Sequence, residues 1–203
     1  SLLHSGTPTT ITAGKIPDLP NWFLDAIFKA GDGLLNSLLT ALNEHRYTNE
    51  GVTVEIPVIS FFSASNEMPN FRNKEEQILA PLYDRFQLRV VTRDVQERSA
   101  RLAVLKNKLD GHFGEVTATF TLEELYAMQA QVKLVAIPDA VNELMDDVLC
   151  ELRREGIAVS DRTYFGYGPV AQAAAWLAGH TEVQPGDLLP LKNYLWNEPG
   201  ELE

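Results

Sequence analysis

Cysteine is almost absent from this 203-residue chain, where Cys150 stands alone. No intrachain disulfide can form, and a reducing, cytoplasmic setting is expected. The helical pattern of Val148-Leu149-Cys150 predicts a core thiol rather than a nucleophile. Long apolar runs are missing as well. No stretch approaches the roughly 20 residues of a membrane-spanning helix, and the N-terminus lacks the charged-then-apolar pattern of a signal peptide, so a soluble protein with no membrane partner is expected. Positive charge is scarce: Lys and Arg total 17 against 28 Asp and Glu, a net charge of −11. That balance argues against binding nucleic acid through its phosphodiester backbone. His4, His45, His112 and His180 are scattered without ligand spacing, and no Gly-x-Ser-x-Gly elbow marks a serine hydrolase. One further absence has wider consequences. No Gly-x-x-x-x-Gly-Lys-Ser/Thr loop occurs, and neither Lys15 nor Lys29 lies in a glycine-rich strand-to-helix turn.

The apolar content of 45% is ample for folded cores. Residues 1 to 20 are rich in Ser, Thr, Gly and Pro and read as loop or a weak hairpin around Ile11 to Ile16. Trp22 to Asp25 reads as a short buried strand. Behind it Ile27, Phe28, Leu34, Leu35, Leu38, Leu39 and Leu42 recur at helical spacing, divided by Gly31-Asp32-Gly33. Val52, Val54, Ile56 and Val58 alternate strictly after Asn49-Glu50-Gly51, a hairpin whose other arm is Arg46 to Thr48. Val58 to Ala64 is a near-continuous apolar run, the pattern of a strand covered on both faces. Gln87 to Val91 is expected to form one more strand. From Asp94 onward helical periodicity replaces the strand signal, which places a domain boundary between residues 1–93 and 94–203. Asp94 with Glu97 marks a helix start, and Thr121 with Glu124 forms a capping box. Pro138-Asp139 opens a helix carrying the stripe Val141, Leu144, Met145, Val148, Leu149 and Leu152. Two more helices are expected at about 169 to 178 and 185 to 196.

Four short motifs carry the chemistry. Asp25, at the tip of a buried strand, is either a turn-forming residue or a carboxylate poised at a ligand crevice, able to hold magnesium through water. Asn66, after Phe61-Phe62-Ser63-Ala64-Ser65, is either a turn asparagine or an amide that orients water or a terminal phosphate. Arg85, in Leu82-Tyr83-Asp84-Arg85-Phe86, is either half of a surface ion pair or a charge-stabilising finger. Arg162 follows Ser160-Asp161, which can cap a helix, and either points at an anion or pairs with Asp161. Polar groups at two strand tips, an arginine just before the next strand and an arginine at the start of a lid helix are what stabilising a transferring phosphoryl group requires.

In that order, these segments resemble one family. Phe23-Leu24-Asp25-Ala26-Ile27-Phe28-Lys29-Ala30 and Leu35 to Glu44 are similar to the MoxR branch of AAA+ ATPases, in particular its RavA-like members. Ser63 to Pro69, Leu82 to Phe86 and Val159 to Arg162 resemble that branch's first sensor, arginine finger and second sensor. The likeness runs from about residue 10 to 199. It implies an α/β fold, a partial AAA+ P-loop NTPase core at 1–93 followed by an all-α helical lid at 94–203. It further implies Asp25 as the Walker B magnesium ligand, Asn66 as the first sensor, Arg85 as the finger reaching a neighbouring subunit, and Arg162 as the lid's phosphate contact. ATP and Mg2+ are the implied cofactors. The implied partners are further copies in a hexameric ring, and a von Willebrand A-domain protein or another protein client whose remodelling or metal-cofactor loading is coupled to ATP.

The chain departs from that pattern twice. The family's glutamate after the Walker B aspartate is here Ala26, which cannot accept a proton, so hydrolysis is expected to be crippled, by engineered or by natural loss. The phosphate loop is missing, so the β- and γ-phosphates lose their main backbone donors and this polypeptide alone is expected to bind ATP weakly or not at all. A chain that begins after that loop is the simplest reading. Gly166-Tyr167-Gly168-Pro169 should interrupt the lid helix, with Tyr164 and Phe165 expected in the lid core or, for one of them, at a base-stacking position. Two other functions stay in play: a hydrolysis-deficient binding or assembly module, which Ala26 favours, and a nucleic-acid motor, which the charge disfavours.

Overall fold

The computed structural model describes residues 18–29, 31–49, 51–111, 114 and 118–202. The expected hairpin at Ile11 to Ile16, Lys15, His4 and His112 lie outside the described residues. The chain divides into two compact units, through Gln87 and from Leu88.

In the first unit, β1 (Asn21–Asp25) and β4 (Ser60–Ala64) pair in parallel, Trp22 opposite Phe61 and Asp25 opposite Ala64. Parallel strands require a crossover. It consists of a 3-10 turn at Ile27–Lys29, the helix α1 (Asp32–Glu44) and a hairpin of β2 (Arg46–Asn49) and β3 (Val52–Glu55). Gly51, at φ 81°, takes the left-handed conformation that a tight hairpin loop demands. On α1, Leu35, Leu38 and Ala41 form the inward face, and they pack with Trp22, Ile27, Ile56, Val58, Leu79 and Leu82 into one core. Trp22 meets Phe61 and Tyr47 edge-on, with centroids 5.3 and 6.0 Å apart. Because Tyr47 follows α1 directly, the helix runs back toward the start of β1. After β4 come a 3-10 turn at Gln77–Leu79 and the short α2 (Ala80–Tyr83).

Two expectations fail here. The apolar run ending at Ala64 is covered on one face only: Phe62 is 57% exposed and its register partner Phe23 70%. Gln87 to Val91 forms no strand. Among the described residues no sheet edge takes up its peptide groups, and the Arg89 N–H donates instead to the Asn193 carbonyl at 2.7 Å. Arg89 and this partner both belong to the second compact unit, which begins at Leu88.

The second unit contains α3 (Arg98–Leu109), α4 (Leu122–Val132), α5 (Asp139–Arg154), α6 (Asp161–Phe165), α7 (Tyr167–Leu177) and a 3-10 helix at Pro185–Asn193. The first begins after Glu97. The capping box of α4 is present, with Thr121 N–H on Glu124 Oε2 at 2.7 Å and Glu124 N–H on Thr121 Oγ1 at 3.2 Å. Val141, Met145 and Leu149 of α5 are buried one turn apart. Val141 and Met145 join Tyr167, Ala171 and Ala175 of α7 and Leu191 and Tyr194 in the second core. The two alanines have no exposed surface, which lets α7 lie close against the 3-10 segment. That segment was expected to be α-helical. Pro190 inside it has no N–H to donate and crowds the preceding turn. Cys150 is exposed, not a core thiol, because it shares the polar face of α5 with Glu143, Asp146, Asp147 and Arg154. Tyr164 packs against the second core whereas Phe165 stays 77% exposed, so the pair is not lid core as a unit. In α3 no residue is buried.

Candidate functional site

Parallel pairing brings the C-terminal ends of β1 and β4 to one edge. Asp25 ends β1 opposite Ala64, and Asn66 lies two residues beyond Ala64, so the carboxylate and the amide share that edge. Both are exposed. The Ala26 N–H extends the ladder by one bond to the Ala64 carbonyl at 2.9 Å, after which the chain turns abruptly with Ala26 at φ 48°. A side chain in the left-handed region is strained, and such strain gathers where a turn serves a site. Beyond β4, Ser65 Oγ donates to the Glu67 carbonyl at 2.7 Å and accepts from the Glu67 N–H at 3.2 Å. Lys29 Nζ meets Glu67 Oε1 at 3.2 Å, tying the turn after β1 to the loop after β4. Sequence reasoning missed this clasp, since the two residues share no motif and only the register makes them neighbours.

Arg85 does not join that edge. Its Nε donates to Asn43 Oδ1 at 2.7 Å and its Nη1 to the Pro81 carbonyl. Asn43 stands near the C-terminal end of α1, whose 13 residues span roughly 20 Å from its start beside the strand tips. The guanidinium is thus held by an amide and a carbonyl rather than by the neighbouring Asp84.

Arg162, in the second unit, is exposed on α6. Ser160 caps that helix, its Oγ accepting from Thr163 N–H at 3.2 Å. Asp161 pairs with Arg153 at 3.6 Å, not with Arg162, and among the described residues no carboxylate pairs with Arg162. The expected interruption falls at Gly166, between α6 and α7. A Cβ there would lie 2.5 Å from Tyr194 Oη and 2.9 Å from the Arg162 carbonyl, so only glycine permits this approach. Tyr194 is 1% exposed, and among the described residues its hydroxyl has no hydrogen-bond partner. Burial pushes that hydroxyl's pKa up, opposed by the positive charges of Arg162 and Arg89. Arg89 Nη1 donates to the Trp196 carbonyl, and the guanidinium lies 6.0 Å from the Trp196 ring centre. Nothing in the sequence pattern singled out Arg89 or Tyr194.

A second polar feature of this unit is structural. Asp187, 7% exposed, holds His180 Nδ1 at 2.9 Å and accepts the Gln184 N–H at 2.8 Å. Burial works to raise its carboxyl pKa, but the Gln184 N–H and the His180 ring outweigh it and hold it below the ordinary value.

Residues 1–130 match the family described as the MoxR domain in MoxR-vWA-beta-propeller ternary systems, and residues 137–203 match an AAA lid domain. The chain belongs to the MoxR branch of the AAA+ ATPases. It is 35% identical over 187 residues to an uncharacterized protein of Methanocaldococcus jannaschii, covering 92% of this chain and 47% of that one. A second uncharacterized protein of the same organism is 33% identical over 192 residues, covering 94% and 48%. This MoxR chain therefore spans about half the length of these relatives. A solved structure of a candidate ATPase from Cytophaga hutchinsonii superposes with a TM-score of 0.67 over 88% of this chain and 57% of that one, at 15% identity. At that identity the likeness speaks to the fold, an α/β MoxR core followed by a helical AAA lid.

Proposed function

We propose that this chain is the portion of a MoxR-type AAA+ ATPase that reads the terminal phosphate and its magnesium, in a machine that remodels or loads cofactors into partner proteins. The observation that supports the reading is the β1–β4 register, which ends β1 at Asp25 opposite Ala64, two residues before Asn66, at the carboxyl edge of a parallel pair, where α/β sheets take ligands. A single exposed carboxylate suits Mg2+, which keeps several waters and takes other oxygens from substrate phosphates. Magnesium bound there would neutralise developing phosphate charge. Asn66 can donate to or accept from a phosphate oxygen or a water. Arg85, fixed in orientation by Asn43 and Pro81, serves as the finger toward a neighbouring copy in a ring, and Arg162 supplies the lid's positive charge. The description of the matched family, with its vWA and β-propeller components, supports a von Willebrand A-domain partner.

Ala26 supports a second reading, a module that binds nucleotide without turning it over, because no carboxylate follows Asp25 to accept a proton from water. Steady ATP hydrolysis by the full-length protein decides between them. The first reading expects turnover that rises at least about tenfold in Ala26→Glu and is lost in Asp25→Asn. The second expects no turnover in the parent but nucleotide-dependent assembly. If neither hydrolysis nor nucleotide binding is seen, both fail. The isolated chain, without a phosphate loop in its sequence, is expected to give no micromolar ATP signal in calorimetry.

A further inference from the structure

The second unit carries an apolar groove and, in α3, a helix whose surface complements it. The groove, of about 420 Å³, is lined by Leu144, Val148 and Leu152 of α5, by Leu188 and Leu189 of the 3-10 segment and by Trp196. Lys192 and Glu201 also line it and are of opposite sign, so its charge is set by what flanks it. On α5 each of the three apolar residues is preceded by an exposed acid, Glu143, Asp147 and Glu151. Residues four apart stack on one helix face, so an acidic row runs beside the apolar one. Glu151 pairs with Arg154 at 2.8 Å, whereas among the described residues Glu143 and Asp147 have no cationic partner. The opposite pattern marks α3. Every one of its residues is exposed, and Leu102, Leu105 and Leu109, each more than half exposed, form a stripe at i, i+3 and i+7. The helix contains Arg98, Arg101, Lys106 and Lys108 and no acid. Arg101, which also donates to the Val95 and Gln96 carbonyls, and Lys108 each precede a leucine of the stripe, so a cationic row runs beside it on the same hand as the acidic row of α5. Two rows of the same hand meet only when the helices run antiparallel.

We propose that α3 of one copy docks in the groove of a second copy, antiparallel to α5, with its leucine stripe in the groove and its cationic row against Asp147 and its neighbours. This is a helix-in-groove contact, anchored by the leucines and oriented by charge. Mutual exchange of helices between two copies makes a two-fold pair, which closes on itself and cannot grow. The contact requires no nucleotide, so it goes beyond the phosphate reading and stands or falls apart from it.

The test uses the 203-residue chain without nucleotide, followed by sedimentation and by the methyl resonances of Leu152 and Leu189 in the groove. The parent is expected to pair in the high micromolar range, as small contacts do, and less so as salt screens the two charged rows. Leu105→Glu puts a charge in the stripe and Leu189→Glu puts one in the groove. Both positions are exposed, so both variants should keep the parent's melting temperature while each alone stays monomeric. An equimolar mixture of the two should recover a one-to-one complex, because one copy retains the groove and the other the helix. Asp147→Lys should weaken pairing about fivefold, the scale of an exposed charge pair, and Lys108→Glu in the same chain should restore it. A parent that stays monomeric at millimolar concentration, or a mixture that fails to recover the complex, overturns the docking. Pairing that survives Leu105→Glu also overturns it and assigns the association to another face. Groove resonances that respond to Leu105→Glu in a monomeric chain place α3 in its own groove, which overturns docking between copies.

Discussion

Replacing Gly166 by alanine tests the packing on which the lid geometry depends. Gly166 has φ −90° and ψ −1°, which alanine adopts freely, so on backbone grounds the substitution should stabilise by about 0.4–1 kcal/mol through the unfolded state. Sterics act the other way. The new methyl would sit 2.5 Å from Tyr194 Oη and 2.9 Å from the Arg162 carbonyl, both inside van der Waals contact. Tyr194 cannot swing away, being 1% exposed in a core shared with Ala171, Ala175 and Leu191. Overpacking of this kind costs about 1–3 kcal/mol, which leaves a net loss of about 0.5–2 kcal/mol. For a unit of this size that is a fall in melting temperature of about 2–8 °C, read by calorimetry or circular dichroism. The double variant Gly166→Ala/Tyr194→Phe removes the closest clashing atom and should recover part of the loss, a favourable coupling in a double-mutant cycle. A Gly166→Ala protein that melts higher than its parent, or a double variant without recovery, would refute the argument that the hydroxyl occupies that space.

Asp187→Asn should cost about 1.5–3 kcal/mol, the scale of a charge-assisted hydrogen bond lost from a buried position. Because the folded carboxyl pKa is lowered from 3.8, that stabilisation is present in full well above this value and disappears as pH falls through the folded one. Urea unfolding at a series of pH values should show parent and variant converging in acid, and a constant gap would count against the linkage. Ala26→Gly relieves a left-handed alanine at φ 48°. It should leave stability unchanged or raise it by up to about 1 kcal/mol, against the loss of about 0.5–1 that glycine costs within regular structure. Met145→Ala empties a side chain that is 1% exposed at the centre of the second core and should destabilise by about 2–5 kcal/mol in denaturant titration.

Periodicity made the elements with strong local signals legible. Trp22 to Asp25, the helix behind it, the hairpin at Gly51, the capping box at Thr121 and the stripe of α5 all appear where residue spacing places them. Gln87 to Val91 failed because a strand is a pairing, not a property of five residues: its apolar pattern had no sheet edge to meet among the described residues. The 3-10 segment at Pro185–Asn193 failed for a local reason, a proline in a helical pattern. Cys150 failed because burial habits describe a residue type, whereas the helix turn assigns each residue a face. At the site, Asp25 and Asn66 were legible as strand-tip polar groups, and the register then set them on one edge. Sequence spacing carries no trace of the Lys29–Glu67 clasp, the Arg85–Asn43 bond or the Tyr194 hydroxyl beneath Gly166. Each depends on contacts between segments distant in the chain.

The pairing of β1 with β4 has a practical consequence at the bench. Among the described residues no third strand pairs with this ribbon, whose flanks display peptide groups, and Phe23 and Phe62 add an oily surface between those flanks. Such a ribbon is a template onto which a like strand can add. Preparations of this polypeptide should therefore self-associate as concentration rises. A lysine installed at position 23 or 62, facing water, should keep them monodisperse in light scattering without disturbing the Trp22 side of the ribbon.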